Sequence, residues 1–285
     1  MEKSLQPLVL IGFFGLLIWV ISQFGIEQAL AVGTIVSGVV WLLYVIIKGK
    51  HKKSSDLPYY VDFAKSFFPI FLVVLLLRAF LIEPFRIPSG SMMPNLLIGD
   101  FILVNKYTYG IRMPVTKRKI FSLNNPERGD IVVFRWPKDE KLDYIKRVVG
   151  LPGDSVSYKN KILYINKEPM KIKSFQRYIP EGSGMRALGS IEGIEDLKGI
   201  EHSVLINPMT PNLSASCKFI DSREIKIPDG HYLMVGDNRD DSNDGRCWGL
   251  VPEKNLVGKA FFIWFSLDWE RPGIIAWSRI GNLIQ

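Results

Sequence analysis

The sequence predicts a mainly β protein: an antiparallel-sheet domain with an inserted β-rich subdomain, preceded by transmembrane α-helices. Three observations predict it. Apolar stretches close to twenty residues long crowd the first 82 positions, and short β-branched and aromatic runs broken by Gly, Pro and Asn fill most of the remaining chain. Between residues 167 and 230 that second pattern gives way to Gly, Ser, Pro and charge with weak alternation, which marks an insertion in the main sheet system.

The apolar stretches cover residues 7–22, 29–47 and 63–82, the first two separated by the short polar link 23–28. Each approaches the ~20 residues that cross ~30 Å of hydrocarbon, so three spans and a membrane anchor over 1–82 are expected. The first stretch is read as retained, because Met1-Glu-Lys3 carries little charge and the link 23–28 holds no small-x-small cleavage pattern. The run Lys48-Gly-Lys-His-Lys-Lys53 is the densest positive cluster near the anchor, which puts that loop and the N-terminus in the cytoplasm and residues beyond 82 outside. Lys65 and Arg78, near the two ends of the third stretch, have stems long enough to snorkel to the interfaces.

Past residue 82, strand-like runs fall at 100–105, 130–135, 144–149, 155–158, 162–166, 232–235 and 259–266, with Tyr158-Lys-Asn-Lys-Ile162 placed as a hairpin turn. The main β domain is therefore drawn from residues 83–166 and 231–285. A net charge of +8 raises the question of nucleic acid, but Lys and Arg are dispersed without an aromatic-basic signature, so anionic lipid is the expected partner. Two cysteines, Cys217 and Cys247, cannot make a disulfide framework, and both a single bridge and buried thiols remain open. The three histidines, His51, His202 and His231, lack metal-ligand spacing, and no cofactor is implied.

Two segments carry candidate chemistry. Pro88-Ser-Gly-Ser-Met-Met-Pro94 sets Ser91 beside a glycine that permits close backbone approach, and Asp143-Tyr-Ile-Lys-Arg-Val-Val-Gly-Leu-Pro-Gly-Asp154 sets Lys146 in an apolar strand. A serine hydroxyl needs a base to act as a nucleophile, and lysine serves only when neutral, a state that desolvation favours. Strand periodicity puts Tyr144, Lys146 and Val148 on one face and Ile145, Arg147 and Val149 on the other, giving Lys146 apolar neighbours. From each segment alone, a simple turn at Ser91 and a solvated strand lysine at Lys146 stay open beside the catalytic reading.

Together with Arg128-Gly-Asp-Ile-Val-Val-Phe134 and Gly236-Asp-Asn-Arg-Asp-Asp-Ser-Asn-Asp-Gly-Arg246, these segments resemble, in order and content, the bacterial type I signal peptidases of the Ser-Lys kind. Trp248-Gly-Leu-Val-Pro-Glu253 and Gly258-Lys-Ala260 extend the likeness over most of 83–285. The resemblance implies a membrane-bound serine endopeptidase that cuts N-terminal signal peptides from exported preproteins after small residues at the first and third positions before the cut. It puts the nucleophile on Ser91, the general base on Lys146, and the oxyanion donors on Ser89 and the Ser91 N–H. Ser242 would orient the lysine, while Asp237, Asp244, Arg147 and Arg246 brace the site. Ile87 and Ile145, with Met92 beside the nucleophile, would line the shallow pockets, although core packing also accounts for the two isoleucines. The implied setting is the bacterial inner membrane, multi-pass, with the catalytic domain on the periplasmic side near the secretion machinery. Gly245 and Cys247 depart from the family pattern, which often has serine and an aromatic residue there, and two spans rather than three are common in such relatives. A Ser-His enzyme using His231, a self-cleaving Ser-Lys repressor, and a non-catalytic membrane-tethered β-domain that binds exported chains are the competing readings.

Overall fold

The computed structural model describes residues 2–48, 58–113, 119–211, 217, 219–220 and 223–285. Most of the basic run 48–53, on which the expected orientation rests, lies outside the described residues. Chain contacts divide the protein into a unit of residues 1–82 with 111–121 and a unit of residues 83–110 with 122–285.

The first unit holds α1 (Glu2–Phe24), α2 (Ile26–Lys48) and α3 (Tyr59–Leu76), which runs into a π-turn over Leu77–Leu81. Its packing inverts that of a water-soluble bundle. Ala29, Thr34, Ser37 and Ala64 are buried, while Ile11, Ile18, Ile35, Ile46 and Ile70 point outward. Small residues inside let helices approach, and a Cβ on Gly38 would sit 2.8 Å from the Phe68 ring. The hydroxyls of Thr34 and Ser37 donate to the Leu30 and Gly33 carbonyls at 2.7 and 2.6 Å, so neither is left unsatisfied in an apolar setting. Ile26–Ile47 and Tyr59–Leu81, 22 and 23 residues, are long and apolar enough to cross a membrane; the described apolar part of α1, Leu10–Phe24, is shorter.

In the second unit a seven-stranded sheet has the order β1, β2, β16, β5, β6, β14, β15. Its strands are β1 (Ile82–Arg86), β2 (Asp100–Asn105), β5 (Ile131–Trp136), β6 (Asp139–Gly150), β14 (His231–Val235), β15 (Val251–Pro252) and β16 (Leu256–Ser266). The hairpin β3 (Ile111–Arg112) and β4 (Lys119–Phe121) belongs with the helices. A second sheet joins β7 (Ser155–Lys159), β8 (Ile162–Ile165), β9 (Glu168–Pro169) and β13 (Ile225–Lys226), and a third joins β10 (Ile172–Arg177), β11 (Ile191–Asp196) and β12 (Glu201–Ile206).

Apolar alternation located the strands well where buried positions recur along the whole run. β2 has the expected bounds, and the turn between β7 and β8 has positive φ at Asn160 and Lys161, 50° and 62°, the geometry that two-residue hairpins favour. β6 is longer than the predicted 144–149 because its outer half, 139–143, is exposed and polar yet still pairs with β5 across a tight turn. Pairing of β16 with β2 demands a glycine at 258, where a Cβ would stand 2.3 Å from the Asn105 carbonyl oxygen. Gly258→Ala is therefore expected to push these strands apart at a cost of about 1–3 kcal/mol. Thermal unfolding of the full chain in detergent should show a midpoint lowered by several degrees.

Candidate active site

Ser91 sits in a single 3-10 turn, Gly90–Met92, in the connection between β1 and β2. Lys146 lies in the inner half of β6, opposite Val132 of β5. Its strand-mate Val148 and its cross-strand partner Val132 are fully buried, and Tyr144 packs on the same cluster. Trp136 stacks flat on Tyr144 at 5.3 Å, and Lys146 Nζ stands 5.6 Å from the Tyr144 ring. The lysine is thus 4% exposed among aliphatic and aromatic groups.

These surroundings set its chemistry. Burial drives the Lys146 ammonium down to a pKa of about 8 against the pull of Asp244 and Asp237, and Arg246 adds a smaller push in the same direction. Nζ donates to Ser91 Oγ at 2.6 Å and to the Ile145 carbonyl at 2.8 Å. The two segments that sequence reading singled out, 55 residues apart, therefore meet side chain to side chain.

Ser89 Oγ is 3.4 Å from Ser91 Oγ. Both serines, with Ile145, Lys146, Ser242 and Trp248, line a cleft of about 870 Å³. Of the three residues expected along the specificity pockets, Ile145 lines this cleft. Ile87 and Met92 are buried in the core cluster against which Ile145 packs. Ser242 reaches the cleft wall but does not bond the lysine: its hydroxyl is buried without a hydrogen-bond partner of good geometry, while lying near enough to Asp244 to favour that carboxylate.

The four charged residues form two buried forks. Arg147, on the opposite face of β6 from Lys146, donates from Nε and Nη2 to Asp237 at 2.9 and 2.8 Å, and from Nη1 to the carbonyls of Gly129 and Gln285. Burial alone would raise the Asp237 pKa, yet the Arg147 charge and its hydrogen bonds outweigh it and hold the carboxyl low. Arg246 grips Asp244 in the same bidentate way, at 2.9 and 2.8 Å, and stacks 4.8 Å over the Tyr158 ring. Asp244 also accepts from the Gly236 N–H, so it too stays below the usual carboxylate range despite burial.

Sequence reading gave no role to Asn95, Gly236, Asn238, Arg239, Glu195 or His202. Arg239 forks with Glu195, both fully buried. His202 lies 3.5 Å from Glu195 and 3.7 Å from Asp237, and burial lowers its pKa to about 4, so it is neutral at pH 7. His231 sits at the far end of β14, paired with Pro252, and is no part of the cleft lining. Cys217 and Cys247 are joined in a disulfide that forms part of the cleft wall. Among the described residues no His, Cys, Asp and Glu cluster is suited to a metal ion.

Residues 60–265 match the family model described as signal peptidase, peptidase S26. Signal peptidase I of Pseudomonas fluorescens is 44% identical over 245 residues, covering 81% of this chain and 81% of that protein. Signal peptidase I of Buchnera aphidicola subsp. Acyrthosiphon pisum is 37% identical over 308 aligned positions, covering 89% of this chain and 97% of the relative. A crystal structure of a signal peptidase I from Enterococcus faecalis is 26% identical and covers 48% of this chain and 98% of its own, with a TM-score of 0.29. The chain belongs to the S26 signal peptidase family.

One glycine limits the space beside Ser91. A Cβ on Gly236 would fall 2.2 Å from Ser242 Oγ and 2.6 Å from the Ser91 carbonyl oxygen. Gly236→Ala should displace Ser91 and reduce peptidase turnover on the order of 100-fold. Steady-state cleavage of a preprotein in detergent, compared with far-UV circular dichroism of the same sample, checks that the loss is catalytic.

Proposed function

We propose that this S26 peptidase is a membrane-bound endopeptidase that removes signal peptides from exported preproteins, using Ser91 as nucleophile and neutral Lys146 as base. The observation that carries the reading is the 2.6 Å approach of Lys146 Nζ to Ser91 Oγ inside an apolar cluster. In the neutral lysine the same contact runs the other way, with the Ser91 hydroxyl donating to the nitrogen lone pair. As Ser91 Oγ attacks the scissile carbonyl carbon, its proton passes to Lys146. The developing oxyanion is met by the Ser91 N–H and the Ser89 hydroxyl, each such donor contributing on the order of 3 kcal/mol. Lys146 then protonates the departing amine, which is the new N-terminus of the mature protein. A water, deprotonated by the again neutral Lys146, releases the signal peptide from Ser91.

The cleft wall formed by Ile145 favours small residues near the cut, because a β-branched aliphatic side chain there overlaps with larger ones. Ile87 and Met92, behind it, fix its position more than they touch substrate. Arg147, Asp237, Arg246 and Asp244 brace the catalytic strand and turn, and Ser242 steers Lys146 once the cleft is filled. Residues 1–82 serve as the anchor, with α1 a third span beside α2 and α3. The main β domain (83–166 and 231–285) and its insertion (167–230) lie on the periplasmic side of a bacterial inner membrane, near the secretion machinery. The disulfide fits an oxidising compartment. Trp269 and Trp277, 71% and 72% exposed, suit the headgroup region of a bilayer and would bring the cleft to a scissile bond next to a membrane-embedded segment.

Ser91→Ala and Lys146→Ala should each abolish preprotein cleavage, as read by N-terminal sequencing of the product. For the native enzyme, a base titrating at about 8 gives kcat/KM that rises roughly tenfold per pH unit below that point and levels above it. A pH profile without this acid limb would remove Lys146 as the base. Ile145→Ala should admit larger residues beside the cut, shifting cleavage sites in a library of preprotein variants while leaving the rate at the native alanine-type site within about tenfold.

A further inference from the structure

Resting on the serine–lysine reading, we infer that Asn238 is a positioning residue for the nucleophile, holding the carbonyls of Gly90 and Ser91 so that the Ser91 hydroxyl stays in bonding range of Lys146. Its side-chain Nδ2 donates to the Gly90 carbonyl at 3.0 Å, and its backbone N–H donates to the Ser91 carbonyl at 3.1 Å. One buried residue thus grips two successive peptide groups of the catalytic turn.

The turn needs such a grip. Lys146 lies in a strand that pairs with β5 at this very position and with β14 from Arg147 onward. Ser91 has instead a 3-10 segment of three residues, closed by Met93 N–H donating to Gly90 at 3.1 Å. Rotation of either flanking peptide would swing Oγ away from Nζ, and a misplacement of about 1 Å costs on the order of 100-fold in rate.

The grip is itself mounted on the small sheet of the insertion. Leu205 of β12 donates its N–H to the Asp237 carbonyl and accepts from the Arg239 N–H, both at 2.9 Å, bracketing Asn238. Arg239 is anchored by its fork to Glu195 on β11. On the other side of the turn, Asn95 Nδ2 donates to the Ser203 carbonyl of β12 and to Asp237, each at 2.7 Å. The insertion therefore positions the nucleophile from behind while contributing no reacting group.

The test is steady-state cleavage of a preprotein by the full chain in detergent, with thermal unfolding measured on each variant. Asn238→Ala should lower kcat about 10- to 100-fold with KM within twofold of the native value, since the substrate cleft is untouched. Asn238→Asp keeps the shape but cannot donate to Gly90, and should lose at least as much; it also serves if the alanine variant does not fold. Either variant, folded and turning over within twofold of native, overturns the proposal, as does a loss that appears only as reduced stability or raised KM. Ser91→Ala and Lys146→Ala run alongside: if they still cleave, the serine–lysine reading itself fails, whereas inactive controls beside a fully active Asn238→Ala remove only the role of Asn238.

Discussion

The arrangement depends on one unfavourable burial, that of the Lys146 amine. Lowering its pKa from 10.5 to about 8 means that the folded protein disfavours the ammonium by about 3 kcal/mol relative to water. Val132, Val148 and Tyr144 impose that penalty by excluding solvent, and the penalty favours the neutral amine. An isolated apolar pocket would suffice if no carboxylates were near, but Asp237 and Asp244 both favour the charged lysine. Arg147 and Arg246 occupy those carboxylates with two hydrogen bonds each. The guanidinium forks thus share the charge of those carboxylates, and Arg246 itself disfavours the ammonium.

The period of a β-strand makes both halves of this possible at adjacent positions. Lys146 and Arg147 are neighbours in sequence but point to opposite faces of β6, one into the cluster of Val132 and Val148, the other to Asp237. A shift of register by one residue would exchange them, placing a permanently charged guanidinium against Ser91 and the titratable amine among carboxylates. Pairing of β6 with β5 on one side and β14 on the other fixes that register.

Much of this was legible in the residues. Strand alternation located the inner half of β6 and the face Lys146 occupies, and the β7–β8 hairpin was evident from its turn. The polar outer half of β6 was not, because pairing there satisfies backbone groups without burying side chains. The third sheet carried only a weak signal for a similar reason: β10 is interrupted by a register shift between Lys173 and Gln176, with Ser174 at φ 57°, and Gly193 replaces a side chain in β11. The Glu195–Arg239 pair, 44 residues apart, leaves no local pattern at all. Ser242 illustrates the converse: the motif puts it beside the lysine, while its buried hydroxyl has no hydrogen-bond partner of good geometry and the lysine donates to Ser91 and the Ile145 carbonyl.

Ser91 and Lys146 are held in different ways, and this explains where the stabilising contacts are concentrated. Lys146 projects from a central strand, so its position is set by the sheet that also makes it dry. Ser91 lies instead in the short 3-10 turn Gly90–Met92. A turn offers few bonds of its own, and the surrounding residues make up the difference: Asp100 accepts from the Leu97 N–H at 2.8 Å, Asn95 ties the turn to β12, and Gly236 yields the space against which the Ser91 carbonyl rests. Contacts of this kind come from segments far apart in the chain, so Ser91 is held by tertiary structure where Lys146 is held by secondary structure. The 2.6 Å approach of Lys146 to Ser91 is accordingly a property of the whole β fold, including a sheet, β10 to β12, whose sequence gives no hint of chemistry.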